Sequence, residues 1–211
     1  MSNQKEIFSQ IYNNHSWGGT SKSGPGSDLE QTAILINTLP KIFDKYDIKI
    51  FFDAPCGDFH WMQNVDKSDV FYIGGDIVQD IIKSNKKLYE TDFVKFIDID
   101  IIKDKFPKCD MMFVRDCLVH FPIESIYQFI LNLISNDVKY LMTTSFVDRT
   151  INYNINFGEW RQLNLLAPPF NFTKPLDIIN EGCTENDGVN YDKSMCIWYV
   201  KDIESAILKA R

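Results

Sequence analysis

Continuous apolar runs alternate with amphipathic segments along the middle of the chain. Five runs are typical of strands, namely "IKIFFDA", "DVFYIGGDI", "FVKFIDIDI", "CDMMFVRDC" and "VKYLMTTSF". Apolar residues recur at helical spacing in "IVQDIIKSNKKLY" and "IESIYQFILNLIS", which predicts a helix in each. Because strands without a polar face are buried on both sides, this pattern predicts a doubly wound α/β fold around a parallel sheet.

The N-terminal segment has a different pattern. A polar helix is predicted over residues 3–14, followed by a glycine- and serine-rich stretch over residues 16–27. Ser27 and Glu30 have the spacing of a capping box, which predicts that an amphipathic helix begins there. The apolar positions of that helix are Leu29, Ile34, Leu35, Leu39 and Ile42.

The regular alternation stops at residues 147–173, an irregular and aromatic-rich insert. A loop of this length within a domain is usually functional, so we interpret it as a lid or a substrate-side wall. Beyond it, "PLDIINEGC" and "KSMCIWYV" predict two strands without an intervening helix, hence an antiparallel pair, and a short helix follows. The predicted fold class is therefore a Rossmann-like, doubly wound seven-stranded sheet with an antiparallel C-terminal edge pair and helices on both faces.

Length and charge narrow the function classes. With 211 residues the chain is expected to form a single domain over residues 1–211. A net charge of -7 would repel phosphate backbones, so we expect no nucleic-acid partner. The N-terminus "MSNQKEIFSQ" is polar and no apolar run has the length of a membrane span, so a cytoplasmic protein is expected.

Cysteine and histidine usage indicates neither a disulfide framework nor a metal site. The five cysteines are odd in number, widely spaced and never arranged as C-x-x-C, so we interpret them as reduced and mostly buried. The three histidines are too scattered to predict a metal cluster, and no metal is expected.

The stretch "FFDAPCGDFHWM" outlines a cofactor loop. Asp53 is predicted to end the first strand, Gly57 follows four residues later, and Asp76 ends the second strand at the separation expected of an acid that binds a ribose. The dinucleotide fingerprint G-x-G-x-x-G is absent, because Pro55 occupies the first glycine position. Proline has no N–H to offer a pyrophosphate, so the loop predicts a cofactor that contains adenosine but no phosphate.

Four segments in order resemble motifs I to IV of class I S-adenosylmethionine-dependent methyltransferases: "FDAPCGD", "YIGGDIV", "FIDID" and "CDMMFVRDCLVHF". More narrowly, "SGPGS", "DAPCGDF", "RDCLVHF", "WRQLNL" and "PPFNF" resemble a group of small bacterial methyltransferases associated with surface-polysaccharide and secondary-metabolite gene clusters. The family's usual loop is D/E-x-G-x-G-x-G, of which this sequence keeps only the middle glycine.

The resemblance implies S-adenosylmethionine as cofactor and S-adenosylhomocysteine as product, together with a set of cofactor-binding residues. Asp76 would bind both ribose hydroxyls, and Ile77 would pack on the adenine. The resemblance also implies that the methionine portion is held by Asp53, with the backbone of Ala54, Pro55 and Gly57, and that the adenine amino group is bound by Asp98, with Ile99. The region under the sulfonium would contain Arg115 and Asp116, and an N-terminal cover over residues 1–46 would include Trp17, Gly24 and Ser27.

The predicted catalytic residues are His120 and Asp116. His120 follows Asp116 by four residues, and a near-neutral imidazole suits the removal of a proton from a hydroxyl acceptor. The alternative is a histidine that caps or orients the loop.

The predicted substrate-binding residues are in the insert. Trp160, Arg161 and Asn164 would form a polar clamp with an aromatic floor, in which Arg161 suits a phosphate, phosphoramidate or carboxylate. The alternative is that these residues pin the loop to the sheet. Weaker candidates of the same kind are Tyr191, Asp192 and Lys193.

The predicted function is O-methylation of a small molecule or sugar, such as a surface (capsular) carbohydrate or its phosphorylated precursor. The acceptor follows from resemblance alone, and the oligomeric state is not predicted. Two alternatives stay open: an NAD-dependent dehydrogenase or epimerase, although the chain contains no Tyr-x-x-x-Lys pair, and a cofactor-binding protein without catalytic activity.

Overall fold

The computed structural model describes residues 4–209, and side chains up to residue 206. The α-helices of this part of the chain are α1 (Gln4–Asn13), α2 (Leu29–Tyr46), α3 (Gln79–Tyr89), α4 (Ile123–Ser135) and α5 (Val200–Lys209). The strands are β1 (Ile50–Asp53), β2 (Phe71–Asp76), β3 (Val94–Asp98), β4 (Met111–Val114), β5 (Tyr140–Phe146), β6 (Asp177–Asn180) and β7 (Lys193–Tyr199).

The strands belong to one mixed seven-stranded sheet with the order β3-β2-β1-β4-β5-β7-β6. This confirms the predicted fold class, including the antiparallel C-terminal pair. The chain divides into two compact units, residues 1–100 and 101–211. The expectation of a single domain stays a prediction.

In the first unit, β1 pairs with β2 and β2 with β3, all in parallel. Asp53 is in register with Gly74, and Asp76 with Asp98, so the carboxylates that end the three strands occupy one edge of the sheet. The side chains of β1 and β2 are largely buried on both faces, whereas the edge strand β3 is only partly buried. The buried residues Phe51, Phe52, Tyr72 and Phe96 supply much of this core.

The predicted capping box at Ser27 is wrong. Ser27 ends a short 3-10 helix, and the N-cap of α2 is Asp28. The Asp28 carboxylate does not cap the helix but accepts hydrogen bonds from the backbone N–H groups of Thr20 (2.9 Å) and Ser21 (3.3 Å). The tertiary contact with the preceding loop therefore decides where α2 begins.

The second unit contains β4 and β5 in parallel, β7 antiparallel to β5, and β6 antiparallel to β7. Because β7 runs in the opposite direction, its first residue, Lys193, is in register with Phe146 at the carboxyl end of β5. The insert at residues 147–173 contains neither helix nor strand, as predicted. Arg149 ties its first residues to Asp192 with two hydrogen bonds, of 2.6 and 3.1 Å.

All five cysteines are buried, which confirms the prediction that most of them belong to the core, and none is bridged in this structure. None of the helices within residues 4–209 has both the length and the apolar character needed to cross a membrane.

Helix α4 offers a direct test of the core in the second unit. Phe129 is fully buried, whereas Leu131 on the same helix is 45% exposed. We expect Phe129→Ala to lower the free energy of unfolding by about 3–5 kcal/mol, because it removes buried apolar surface and leaves a cavity. Urea denaturation followed by circular dichroism measures this difference. The matched control is Leu131→Ala, for which we expect about 0.5 kcal/mol or less; equal losses in the two variants would contradict the assigned packing.

Candidate functional site

Asp76 is the central acid at the carboxyl edge of the first unit. Its two carboxylate oxygens accept hydrogen bonds from the backbone N–H groups of Gly57 (3.2 Å) and Val78 (2.9 Å). Burial raises the pKa of Asp76 to about 6, against the backbone N–H groups that favour the anion. A carboxylate so placed joins the loop after β1 to the start of α3 and retains lone pairs for a ligand hydroxyl.

The loop after β1 fits tightly between its neighbours. Gly57 has a φ of +53°, and a Cβ at that position would lie 2.3 Å from the hydroxyl oxygen of Ser23, so only glycine is accommodated. Asn85, buried on α3, donates to the carbonyl oxygen of Gly57 at 2.8 Å. Ala54 is fully buried, and the Ala54–Pro55 peptide bond is cis.

Asp53 is buried and accepts a hydrogen bond of 2.6 Å from the hydroxyl of Tyr72. Burial and the nearby Asp53 charge raise the pKa of Tyr72 well above its usual value, so the phenol stays protonated and donates. The sequence analysis did not predict this partner. The available signal was a tyrosine inside a buried strand, because a buried phenol requires an acceptor.

Asp98 and the two isoleucines complete this edge. Asp98 is partly exposed, forms an ion pair of 3.4 Å with Lys5 and accepts a hydrogen bond from the side-chain amide of Gln79. Ile99 is buried and donates its N–H to the carbonyl oxygen of Asp76 at 3.0 Å, whereas Ile77 is half-buried. Asp98 therefore already has partners on α1 and α3 that the sequence analysis did not predict.

The glycine- and serine-rich segment lies against the loop after β1. Gly24 has a φ of +97°, and a Cβ there would crowd the Trp17 side chain at 3.3 Å. Ser27 is half-buried and donates its backbone N–H to the carbonyl oxygen of Gly24. Two of the three predicted cover residues, Trp17 and Gly24, thus meet each other directly.

Asp58 is the residue that fastens this segment, and the sequence analysis missed it. Its carboxylate accepts hydrogen bonds from the hydroxyl of Ser21 (2.9 Å), the backbone N–H of Lys22 (3.0 Å) and the hydroxyl of Ser23 (3.2 Å). The hydroxyl of Ser23 in turn accepts from the N–H of Asp58 at 2.9 Å. Burial raises the pKa of Tyr12 on α1, and the nearby charges of Asp58 and Asp76 raise it further.

In the second unit, Asp116 follows β4 and has a φ of +50°, a conformation that non-glycine residues seldom adopt. Its backbone N–H donates to the hydroxyl of Thr144 on β5 at 2.8 Å. Its carboxylate lies 2.6 Å from the ammonium of Lys193 and 3.3 Å from the guanidinium of Arg115. Burial alone would raise the pKa of Asp116, but the two cations lower it to about 2.

Arg115 faces a second carboxylate. Its Nε and Nη2 donate to one oxygen of Glu181 at 3.0 and 2.6 Å, and both side chains are almost completely buried. The other oxygen of Glu181 has no hydrogen-bond partner among the described residues. The sequence analysis did not predict Glu181, because it meets Arg115 only through the antiparallel pairing of β6 and β7.

His120 ends a short 3-10 helix, and its Nδ1 lies 2.9 Å from the backbone carbonyl oxygen of Glu159. A carbonyl oxygen only accepts, so Nδ1 carries the proton, and Nε2 holds the lone pair when the ring is neutral. Burial lowers the pKa of His120 below its ordinary value, with smaller contributions from Arg161 and Lys193, while the Glu159 carbonyl and Asp116 oppose the shift.

The three predicted clamp residues of the insert have different surroundings. Trp160 is 42% exposed and stands edge-on to Phe146, with ring centroids 5.9 Å apart. Asn164 is buried, and its amide is fully used within the protein: Nδ2 donates to the carbonyls of Val147 and Arg149, and Oδ1 accepts from Ser145 and Leu166. These contacts of Asn164 favour the alternative that it pins the loop.

Arg161 is fully buried beneath the loop that carries His120. Its backbone N–H donates to the carbonyl of Val119, and Nη1 donates to the carbonyl of Phe121 at 2.8 Å. Within the described part of the chain, Nε and Nη2 have no hydrogen-bond partner and no carboxylate forms an ion pair with this guanidinium. Burial lowers the pKa of Arg161 to about 10, so the group remains a cation at neutral pH.

No family model and no curated protein matches the sequence. Its structure is similar to that of human N-acetylserotonin methyltransferase in complex with S-adenosylmethionine (TM-score 0.64, 11% identity, 93% of this chain and 59% of that one). It is also similar to magnesium protoporphyrin IX methyltransferase from Synechocystis PCC 6803 with bound S-adenosylmethionine, with a TM-score of 0.59 and 12% identity over 93% of this chain and 97% of that one. A third similar structure is the N-methyltransferase NodS from Bradyrhizobium japonicum WM9, with a TM-score of 0.58 and 10% identity over 82% of this chain and 98% of that one.

At these identities the likeness establishes the fold. This chain has the fold shared by these methyltransferases, and it spans 59% of the length of the human protein.

The Asp58 contacts predict that its removal loosens the glycine- and serine-rich segment. We expect Asp58→Ala to speed hydrogen exchange at the Lys22 amide by about 10–100-fold, because hydrogen bonds to a charged acceptor contribute about 1.5–3 kcal/mol. Hydrogen–deuterium exchange with mass spectrometry over residues 20–24 measures this. Asp66→Ala is the matched control, since among the described residues Asp66 accepts hydrogen bonds only from the neighbouring Ser68. Unchanged exchange in Asp58→Ala would show that Asp58 does not hold the segment.

Proposed function

We propose that the protein is a class I S-adenosylmethionine-dependent methyltransferase. The observation that carries this proposal is the Asp76 carboxylate, which ends β2 and is held by the backbone N–H groups of Gly57 and Val78. Open α/β sheets bind ligands outside the carboxyl ends of their strands. A carboxylate at that edge, with lone pairs left over, suits the two adjacent hydroxyls of a ribose.

The residues of the first unit fit the proposed cofactor better than a dinucleotide. The loop after β1 has Pro55, which offers no N–H, and its single glycine, Gly57, directs its N–H to Asp76 rather than outward to a phosphate. Asp53 supplies a buried carboxylate near the position proposed for the methionine ammonium group. Ile77 and Ile99 supply apolar surface for an adenine. The NAD-dependent alternative is therefore not favoured.

When bound, S-adenosylmethionine supplies an electrophilic methyl group on a positively charged sulfur. The protein's part is then to orient the acceptor and to remove its proton. We propose that His120 accepts the proton of an acceptor hydroxyl at Nε2, because its Nδ1–H is directed to the Glu159 carbonyl and burial keeps the ring neutral near pH 7. The Asp116 carboxylate would stabilise the imidazolium that forms.

We further propose that the acceptor is a small molecule or sugar with an anionic group, such as a phosphorylated precursor of a surface carbohydrate. The support is Arg161, a buried cation with two unsatisfied donors and no paired carboxylate in the described chain. Leaving such a group without a partner costs about 1–3 kcal/mol or more, which an anion would recover. The exposed Trp160 would supply an aromatic surface for a sugar ring.

Cofactor binding is the first test. We expect wild-type protein to bind S-adenosylhomocysteine, but not NAD, in calorimetric titrations at pH 7.5. Asp76→Asn should weaken this binding by about 10–100-fold, because each ribose hydroxyl loses a charged acceptor. Asp92→Asn, at an exposed position, is the control and should bind like the wild type. Tight NAD binding with no affinity for S-adenosylhomocysteine would overturn the proposal.

The same titration has a predicted pH dependence. Because Asp76 has a pKa of about 6 and the hydroxyls bind its anion, affinity should fall about tenfold between pH 7 and pH 5. The free energy of unfolding of the ligand-free protein changes in the opposite direction. The contribution of protonated Asp76 to it is complete below about pH 3.8 and is lost as the pH rises through about 6. In Asp76→Asn the pH dependence of binding should vanish; its persistence would assign it to another group.

Methyl transfer itself is tested with radiolabelled S-adenosylmethionine against pairs of acceptors, each phosphorylated sugar or nucleotide sugar beside its neutral parent. We expect transfer to the anionic member and at least about tenfold less to the neutral one, since an ion pair with a buried arginine contributes more than 1.4 kcal/mol. Transfer to neutral sugars alone would refute the role of Arg161. Cofactor binding without transfer to any acceptor would favour the catalytically silent alternative.

A further inference from the structure

Four side chains at the ends of three strands of the second unit form a largely buried ionic cluster, which we call the Asp116 cluster: Arg115, Asp116, Glu181 and Lys193. Arg115 and Asp116 follow β4, Glu181 follows β6, and Lys193 begins β7. The backbone N–H of Glu181 donates to the carbonyl of Lys193 at 3.0 Å, so the two lie side by side across the strand pair. The antiparallel direction of β7 thus brings Lys193 to the edge at which β4 and β5 end.

Within this cluster Lys193 makes the shortest contact to Asp116. Its ammonium lies 2.6 Å from Oδ2, against 3.3 Å for the nearest guanidinium nitrogen of Arg115. Lys193 is only 4% exposed, and it lies 3.8 Å from both Glu181 and Glu185. A lysine so deeply buried requires compensating charge, and the carboxylates supply it.

The backbone of Asp116 also requires such support. A φ of +50° at a non-glycine residue costs free energy and persists only when surrounding contacts fix it. Those contacts are the Thr144 hydroxyl, which accepts the N–H of Asp116, and the two cations on its carboxylate. The Asp116 side chain nevertheless stays 27% exposed, so the held carboxylate is presented at the surface of the unit.

We propose that Lys193 is a positioning residue: its ammonium fixes the Asp116 carboxylate and offsets part of the negative charge that this carboxylate exerts on His120. This inference rests on the proposed role of His120 as the base. Nothing in the sequence pattern assigns that role to Lys193, which the motif resemblance does not include.

The charged groups with a resolved effect on His120 include Asp116, Arg161 and Lys193, and the Glu159 carbonyl acts on it through a hydrogen bond. The negative charge of Asp116 favours the imidazolium, whereas the two cations disfavour it. Removal of Lys193 should therefore raise the pKa of His120, and removal of the Asp116 charge should lower it. If Lys193 had only a structural role, its removal and the removal of the Asp116 charge would not be expected to shift the pKa of His120 in opposite directions.

The test is the titration of the histidine rings by nuclear magnetic resonance in the free protein. With three histidines in the chain, His15 and His60 serve as internal references. We expect Lys193→Met to raise the pKa of His120 by about 0.5 or more, and Asp116→Asn to lower it by a similar amount. The double variant, in which a neutral pair replaces the ion pair, should return near the wild-type value.

Lys139→Met is the matched control, since Lys139 is exposed in the same unit, and it should leave the titration of His120 unchanged. If Lys193→Met fails to fold, Lys193→Gln removes the charge while keeping a polar end group beside Asp116, and it should raise the pKa of His120 in the same way. Equal titration of His120 in wild type, Lys193→Met and Asp116→Asn would overturn the proposal, as would shifts of the same sign in the two single variants.

The titration needs neither cofactor nor acceptor, so its outcome is independent of the calorimetric test. Loss of the opposite shifts with intact S-adenosylhomocysteine binding would remove the role of Lys193 and leave the proposed function standing. Once an acceptor is known, Lys193→Met should also move the acidic limb of the kcat profile to higher pH by the shift measured for His120.

Discussion

A buried carboxylate at the end of β2 connects the parts of the chain that meet at the carboxyl edge of the sheet in the first unit. Asp76 accepts hydrogen bonds from the loop after β1 and from the residue before α3. Burial favours the neutral acid and the backbone N–H groups favour the anion, and the resulting pKa of the Asp76 carboxyl is about 6. A ligand that donates hydrogen bonds there stabilises the anion, which is why the proposed cofactor chemistry depends on this residue.

The second unit uses charge in a different way. Burial of Arg115, Asp116, Glu181 and Lys193 carries a desolvation cost, and well-packed apolar residues often stabilise a fold at least as well. The ionic cluster holds a carboxylate in a fixed position with a pKa of about 2, near a histidine whose pKa is lowered by burial. Such an arrangement suits a reaction in which the histidine becomes positively charged.

The insert shows how neighbouring polar residues diverge in role. Both Nδ2 and Oδ1 of the Asn164 amide form hydrogen bonds within the protein, whereas two donors of Arg161, three residues earlier, have no partner among the described residues. Both were equivalent candidates in the sequence, because a residue type shows which hydrogen bonds a side chain can form and not which of them are already formed within the protein. Asp58 and Tyr72 were missed for the related reason that their partners, Ser21 and Asp53, are distant in the chain.

The order and type of the elements followed from the sequence, because apolar periodicity is local and each strand and helix carries its own. The positions of Asp53, Asp76 and Asp98 at strand ends followed for the same reason. Only the tertiary structure decided the start of α2, the partners of Asp98 and the assembly of Glu181 and Lys193 with Asp116. The first two depend on contacts of side chains with loops and helices elsewhere in the chain, and the third depends on the register and direction of β6 and β7. No local pattern encodes such contacts.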